Sequence, residues 1–152
     1  TPQQIYDRPA DTFVAEFMGT PKMNLLHGTL TRSEEGYAVM AEGCHLPIPA
    51  GLFKPETLAA YQGLPVVFGL RPEDIHEPGY AQPGCAPLEA TLESLEHMGS
   101  GAYCTFSAAG GRLTATLPSR TQLRPGSQVR LMADLAGIHL FDGTSGKTLY
   151  HA

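Results

Sequence analysis

From Met23 onward, apolar and polar positions alternate with period two. Before Met23 they recur at helical spacing. Met23 to Thr31 reads as a strand with Leu26, Gly28 and Leu30 on one face, and Ser33-Glu34-Glu35-Gly36 reads as a turn. Tyr37 to Met40 and Cys44 to Ile48 extend the meander. Pro55 to Tyr61, opened by Lys54-Pro55-Glu56, reads as a short helix. Leu64 to Leu70 is the most apolar run and predicts a buried strand that stops at Arg71-Pro72-Glu73. Glu77 to Pro87, with three prolines and two glycines, predicts a loop. Leu88–Met98, Ala102–Ser107, Arg112–Leu117, Gln128–Met132 and Ile138–Phe141 follow as strands, each bounded by Gly, Pro or Asp. Gly99-Ser100-Gly101 and Gly110-Gly111 predict hairpin turns, and Asp142-Gly143 with Ser145-Gly146 predict another turn.

About eight or nine short strands separated by turn signals predict a small β-barrel or sandwich. No long helix separates them, which argues against a parallel α/β sheet. The exception is the start of the chain. Phe13, Val14, Phe17 and Met18 share helical spacing, Asp11 caps them, and Gly19 with Pro21 ends the run. Two turns of helix are unstable alone, so Asp11–Met18 must dock on this chain or on a neighbour that the sequence does not include.

Composition narrows the function. Apolar residues make up 42% of the 152, enough for a core, and 17 Gly and 13 Pro fit frequent turns. A net charge of −5 supplies no basic footprint for nucleic acid, and Tyr103 and Phe106 lack the basic neighbours of a base-stacking platform. Cys44, Cys85 and Cys104 form no close pair and no CxxC, which predicts free thiols in a reducing compartment. No run approaches the ~18 apolar residues of a membrane helix. The opening Thr1-Pro2-Gln3-Gln4 has no secretory-signal pattern, so any work at a membrane is expected through a partner.

The chemistry-bearing motifs are sparse. There is no GxxxxGK[ST], GxSxG, HExxH or GxGxxG. The six histidines (27, 45, 76, 97, 139 and 151) form no spaced metal pair. His139 offers either a proton switch or, in the plainer reading, a polar side chain on the outer face of the last strand. Arg71 and Glu73 offer either ligand recognition or a hydrogen-bonded turn around Pro72. Glu93 and Glu96 read as solvated, with Leu92 and Leu95 inward.

Four segments carry a resemblance. Pro9-Ala10-Asp11-Thr12-Phe13-Val14-Ala15-Glu16-Phe17-Met18-Gly19-Thr20-Pro21-Lys22-Met23-Asn24 resembles the P-A-x-x-F-V-A-x-F-I-G-S-P-x-M-N passage of sugar-importer ATPases. There the nucleotide-binding domain runs into its C-terminal extension. Phe68-Gly69-Leu70-Arg71-Pro72-Glu73-Asp74-Ile75 resembles the family's G-I-R-P-E-H-I, and Leu95-Glu96-His97-Met98-Gly99 its V-E-x-L-G strand. His139-Leu140-Phe141-Asp142-Gly143-Thr144-Ser145-Gly146 resembles its closing H-L-F-D-x-x-T-G. The four occur in family order. Thr144-Ser145 stands where the family usually has an acidic residue and Thr. The spacing and the ending most resemble the sn-glycerol-3-phosphate importers.

The resemblance implies a mainly β fold: a small OB-like or MOP-like barrel with a short N-terminal helix. Residues 1–21 would end the nucleotide-binding domain and its linker, and 22–152 would form a regulatory and dimerisation barrel. It implies a homodimer through the barrel, an upstream ATPase domain holding ATP and Mg, importer membrane subunits and a cytosolic regulatory protein as partners. The place implied is the cytoplasmic face of the bacterial inner membrane. The chain itself would carry no cofactor and no catalytic residue. The motif positions to locate are Arg71, Pro72, Glu73, Gly99, His139, Phe141, Asp142 and Gly143, as structural or regulatory sites. The competing reading is a barrel that binds a small ligand or oxyanion, because related barrels bind molybdate. If Phe13 and Phe17 face the missing domain, the chain also exposes an apolar patch.

Overall fold

A computed structural model describes residues 22–118 and 121–152. The helix expected over Asp11–Met18, with Phe13 and Phe17, lies outside the described residues. Among the described residues, eleven strands form two sheets. β1 (Asn24–Ser33), β2 (Gly36–Ala41) and β3 (Cys44–Pro47) make the predicted meander. A seven-residue helix, α1 (Pro55–Tyr61), then leads to β4 (Pro65–Leu70). β4 ends in a 3-10 turn over Pro72–Asp74 and the short β5 (Ile75–His76). The second half holds β6 (Cys85–Met98), β7 (Gly101–Ala108), β8 (Gly111–Pro118), β9 (Gln128–Asp134), β10 (His139–Asp142) and β11 (Thr148–Leu149).

The first sheet runs β11-β10-β4-β1-β2-β3 and the second β5-β9-β6-β7-β8. Every pairing is antiparallel. Among the described residues the fold is mainly β and OB-like, as expected, with one short α-helix, α1, where Pro55–Tyr61 predicted it. Leu26, Leu30, Phe53, Phe68, Leu88, Phe106, Leu113 and Leu140 meet between the sheets in one core. A smaller cluster of Met23, Val67 and Phe141, with Leu25 packed against it, forms separately.

The structure corrects four expectations. The loop predicted over Glu77–Pro87 yields its last three residues to β6, which starts at Cys85 and pairs Pro87 with Met132. Leu92 donates its N–H toward β9, to the Ser127 carbonyl, so by alternation position 87 faces away from β9. β7 pairs with β6 only from Thr91, so the missing proline N–H meets an unpaired edge.

The hairpin placed at Gly110-Gly111 instead turns at Ala109-Gly110, with Gly111 already paired to Ala108. Ala109 (φ 52) and Gly110 (φ 77) both take positive φ, the pattern of a type I′ turn. β5 and β11, two residues each, were not predicted, because two residues carry no alternation to read. The fourth correction is His139, described below. Leu92 and Leu95 do both turn inward, although they are three apart, because a bulge shifts the register between Leu92 and Ser94.

Candidate functional site

The predicted motif residues fall into two groups at different places on the barrel. The first is the loop after β10. Gly143 donates its N–H to the Pro65 carbonyl at 2.9 Å, bringing the loop onto the start of β4. A Cβ at Gly143 would lie 2.5 Å from both the carbonyl carbon and the oxygen of Pro65, so only glycine fits.

Asp142 organises the rest of this loop. Its Oδ1 accepts from the backbone N–H of Thr144 (2.7 Å) and Ser145 (2.9 Å), and its Oδ2 accepts from the Tyr61 hydroxyl of α1 (2.7 Å). The Tyr61 hydroxyl, then the two backbone donors, hold this carboxyl down at about 2. The same bond raises the tyrosine. Thr144 donates to Asp142 through its backbone N–H, whereas Ser145 adds its hydroxyl to its backbone N–H, so of the two departures from the family's usual residues the one at 144 leaves this clamp unchanged.

The backbone N–H of Gly146 goes to the Asp142 carbonyl and that of Lys147 to Ser145 Oγ. Every backbone donor from Gly143 to Lys147 is therefore used inside the protein. The shallow cavity beside this loop (about 290 Å³, lined also by Leu25, His27 and Val67) faces no open nest of N–H groups.

One strand earlier, His139 is buried at 6% exposure, against the plainer expectation of an outward polar residue. β10 is flanked by β4 and β11, and His139 sits opposite Gly69, which has no side chain to hold the ring off. The ring lies 5.2 Å from that of His151 and 6.4 Å from that of Phe141. Phe141 is fully buried with Met23 and Val67.

The second group lies at the other end of β4. Arg71 is buried, and the Asp74 N–H closes the turn on the Arg71 carbonyl at 3.0 Å, so the backbone fixes this corner. Burial lifts the Asp74 carboxyl, with Asp134 and Glu73 adding to the rise. Gly99 (φ 58) occupies the first position of the two-residue β6–β7 turn, and Ser100 stays at negative φ, the II′ pattern that requires glycine there. Pro72, Glu73 and His76 from one side and Met98, Ser100 and Gly101 from the other line a cavity of about 510 Å³, with Tyr103 and Thr116 at its wall. Two motifs far apart in sequence thus meet at one hollow. His76 stacks on Tyr80 at its margin, rings 3.8 Å apart.

Sequence reasoning assigned no role to Asn24. It is 6% exposed. Its Nδ2 donates to the Thr114 carbonyl (2.9 Å), and its Oδ1 accepts the Thr114 N–H (2.8 Å). The available signal was a polar residue at an inward position, two before Leu26. Cys44, Cys85 and Cys104 are free thiols, each raised first by burial. Among the described residues no helix is long and apolar enough to cross a membrane.

Residues 19–75 match the family described as the MalK OB fold domain, and residues 68–141 match the TOBE domain. The chain is 34% identical over 153 residues to the trehalose/maltose import ATP-binding protein MalK of Thermococcus litoralis, covering 99% of this chain and 40% of that protein. It is 33% identical over 150 residues to the sn-glycerol-3-phosphate import ATP-binding protein UgpC of Cereibacter sphaeroides (98% and 38%). It is 35% identical over 159 residues to UgpC of Cupriavidus metallidurans (98% and 40%). The chain therefore spans about two fifths of the length of these relatives. Among solved structures, the cytoplasmic molybdate-binding protein ModG shares the fold, with a TM-score of 0.60 and 18% identity over 77% of this chain and 94% of that one.

Proposed function

Because the chain belongs to the MalK OB fold and TOBE domain families of ABC importer ATP-binding subunits, we propose that it is the regulatory and dimerisation part of such a subunit. Residues 1–21 end the ATPase domain and its linker, and 22–152 are the barrel. ATP and Mg belong to the upstream domain. The barrel meets a second copy across a two-fold axis and holds the ATPase halves together while they open and close. The assembled subunit sits against the importer's membrane proteins on the cytoplasmic face and receives signals from a cytosolic regulatory protein. The imported solute is sn-glycerol-3-phosphate or a related sugar.

The observation that carries this reading is how the motif residues are used. Asp142, Gly143 and Gly69 knit β10, β4 and α1 into a rigid body. A pivot needs that rigidity. The test is to delete residues 22–152 from the full-length subunit. Nucleotide binding by the upstream domain is expected to survive, while the subunit dimer and regulated solute uptake are lost. Unchanged dimer and uptake would reject the proposal. The oxyanion-binding alternative has the ModG fold in its favour. It predicts saturable binding of molybdate, tungstate, phosphate or glycerol phosphate to this chain. The donors that such an ion needs are already bonded in the 143–147 loop.

A further inference from the structure

No ladder joins the two sheets, so their edge strands stay open. β1 pairs with β4 over Asn24–Thr29, but β2 joins its other side only from Thr29. The first half of β1 therefore has an open side, and β8 lies against it. β8 is the last strand of its own sheet, so it presents an open edge as well. An open edge exposes the N–H and C=O of every second residue. Thr114 is one such residue, because both its backbone groups go outward to Asn24 and not to β7. By alternation Thr116 is the next, and it lies in the wall of the 510 Å³ cavity beside Pro72, Glu73 and Met98.

The Asn24 side chain thus does what a paired strand residue would do: one donor and one acceptor, offered together to one residue of the edge. A carboxamide is suited to this, since a carboxylate lacks the donor and an aliphatic side chain lacks both. The pair is 90 positions apart in sequence, with Asn24 buried and Thr114 half-buried. Asn24 also follows directly on Met23, which is buried with Val67 and Phe141 on the opposite face of the same sheet. Residue 23 grips one face and residue 24 the other.

We propose that Asn24 is a positioning residue that couples the point where the chain enters the barrel to β8, and through β8 to the cavity formed by the Arg71-Pro72-Glu73 corner and the Gly99 hairpin. Displacing the segment ahead of Met23 moves β8. Conversely, occupying the cavity is felt at the linker. The coupling rests on this chain's own geometry. Only its use in relaying signals to an ATPase domain rests on the function proposed above.

The test is residue-resolved amide exchange on the whole 152-residue chain. In Asn24→Ala, exchange at Thr114 rises roughly tenfold or more, while Leu131 in β9 stays protected. Asn24→Asp keeps the acceptor and loses the donor, so Thr114 stays partly protected; this variant also carries the test if the alanine variant does not fold. The decisive readout is Met23→Ala, which in the wild-type background speeds exchange at Thr114. With Asn24 already replaced, it adds less than about twofold at that residue. If Met23→Ala leaves β8 untouched, or acts equally with and without Asn24, the coupling is refuted. A purely structural asparagine would also fail this cycle, because it would lower protection across the whole barrel. Neither result depends on whether a parent ATPase exists.

Discussion

The two sheets solve burial differently. In the five-stranded sheet burial alternates, broken by the bulge in β6. Along β8, Leu113, Ala115 and Leu117 point inward, while Arg112, Thr114 and Thr116 face the other side. The outer face is charged, with ion pairs between Arg112 and Glu93 (3.3 Å) and between Arg130 and Glu89 (3.4 Å). The centre of the six-stranded sheet does not alternate. β4 is buried from Val66 to Leu70 and β10 from His139 to Phe141. One set of these side chains enters the main core, and Val67 and Phe141 join Met23 on the other face. Sheets open to water on one side alternate, and a run buried on both sides does not. The difference marks the face where the chain arrives from residue 22 as a closed surface.

The largest test of that contrast compares one aromatic from each environment. Phe106 belongs to the shared core and Phe141 to the second cluster, and both are fully buried. Each change to alanine should cost about 3–5 kcal/mol in urea unfolding. A Phe141→Ala cost below about 1 kcal/mol would mean that the outer face of the six-stranded sheet is loosely held in solution.

Two glycines sharpen the point at lower cost. Gly143→Ala drives a methyl into the Pro65 backbone at 2.5 Å, and Gly69→Ala drives one toward Met23 Sδ at 2.7 Å. Backbone cannot step aside, whereas methionine is adaptable. Gly143→Ala should destabilise by about 1–3 kcal/mol and Gly69→Ala by less. The reverse order would show that the Met23 cluster, not the 143 loop, is the rigid part.

Much of this architecture was legible in the sequence, and the failures are specific. Period-two alternation found β1, β2 and β6 to β9 because one face of each is wet. The same logic missed His139. An outward position on a strand reads as exposed, but here the outward face is itself covered. Pro87 read as a strand breaker, yet its missing N–H falls on an open edge. The motif residues were legible as motifs only. That Asp142 clamps Tyr61, and that the Arg71 corner meets the Gly99 hairpin, depend on contacts 81 positions apart in the first case and on the packing of the turn after β4 against β8 in the second. No local pattern encodes either.

The five-stranded sheet also contains its own weak point. Ala109 stands at φ 52, where a Cβ is unfavourable. Ala109→Gly should stabilise the β7–β8 hairpin by roughly 1 kcal/mol, read as a higher melting temperature without change in the unfolding slope. No gain would mean that the turn relaxes out of the left-handed region in solution.

The smallest effect distinguishes clamping from packing on the other sheet. Asp142 is held at about 2 against an ordinary value of 3.8, chiefly by the Tyr61 hydroxyl. A carboxyl lowered on folding contributes stability that is complete above its unfolded value and lost as pH falls through the folded one. Tyr61→Phe removes the leading cause, so Asp142 moves back toward 3.8. The variant should be slightly less stable than wild type at pH 6, by a modest amount because solvent screens so open a carboxylate. The gap between the two should then shrink between about pH 4 and pH 2, as the wild-type carboxyl also protonates. Paired urea titrations at pH 6, 4, 3 and 2 read this directly. A gap that stays constant down to pH 2 would mean that the Tyr61 hydroxyl acts independently of the Asp142 charge, and no gap at any pH would mean that Tyr61 contributes only its ring. The loop after β10 would then be held by Gly143 and the backbone donors alone.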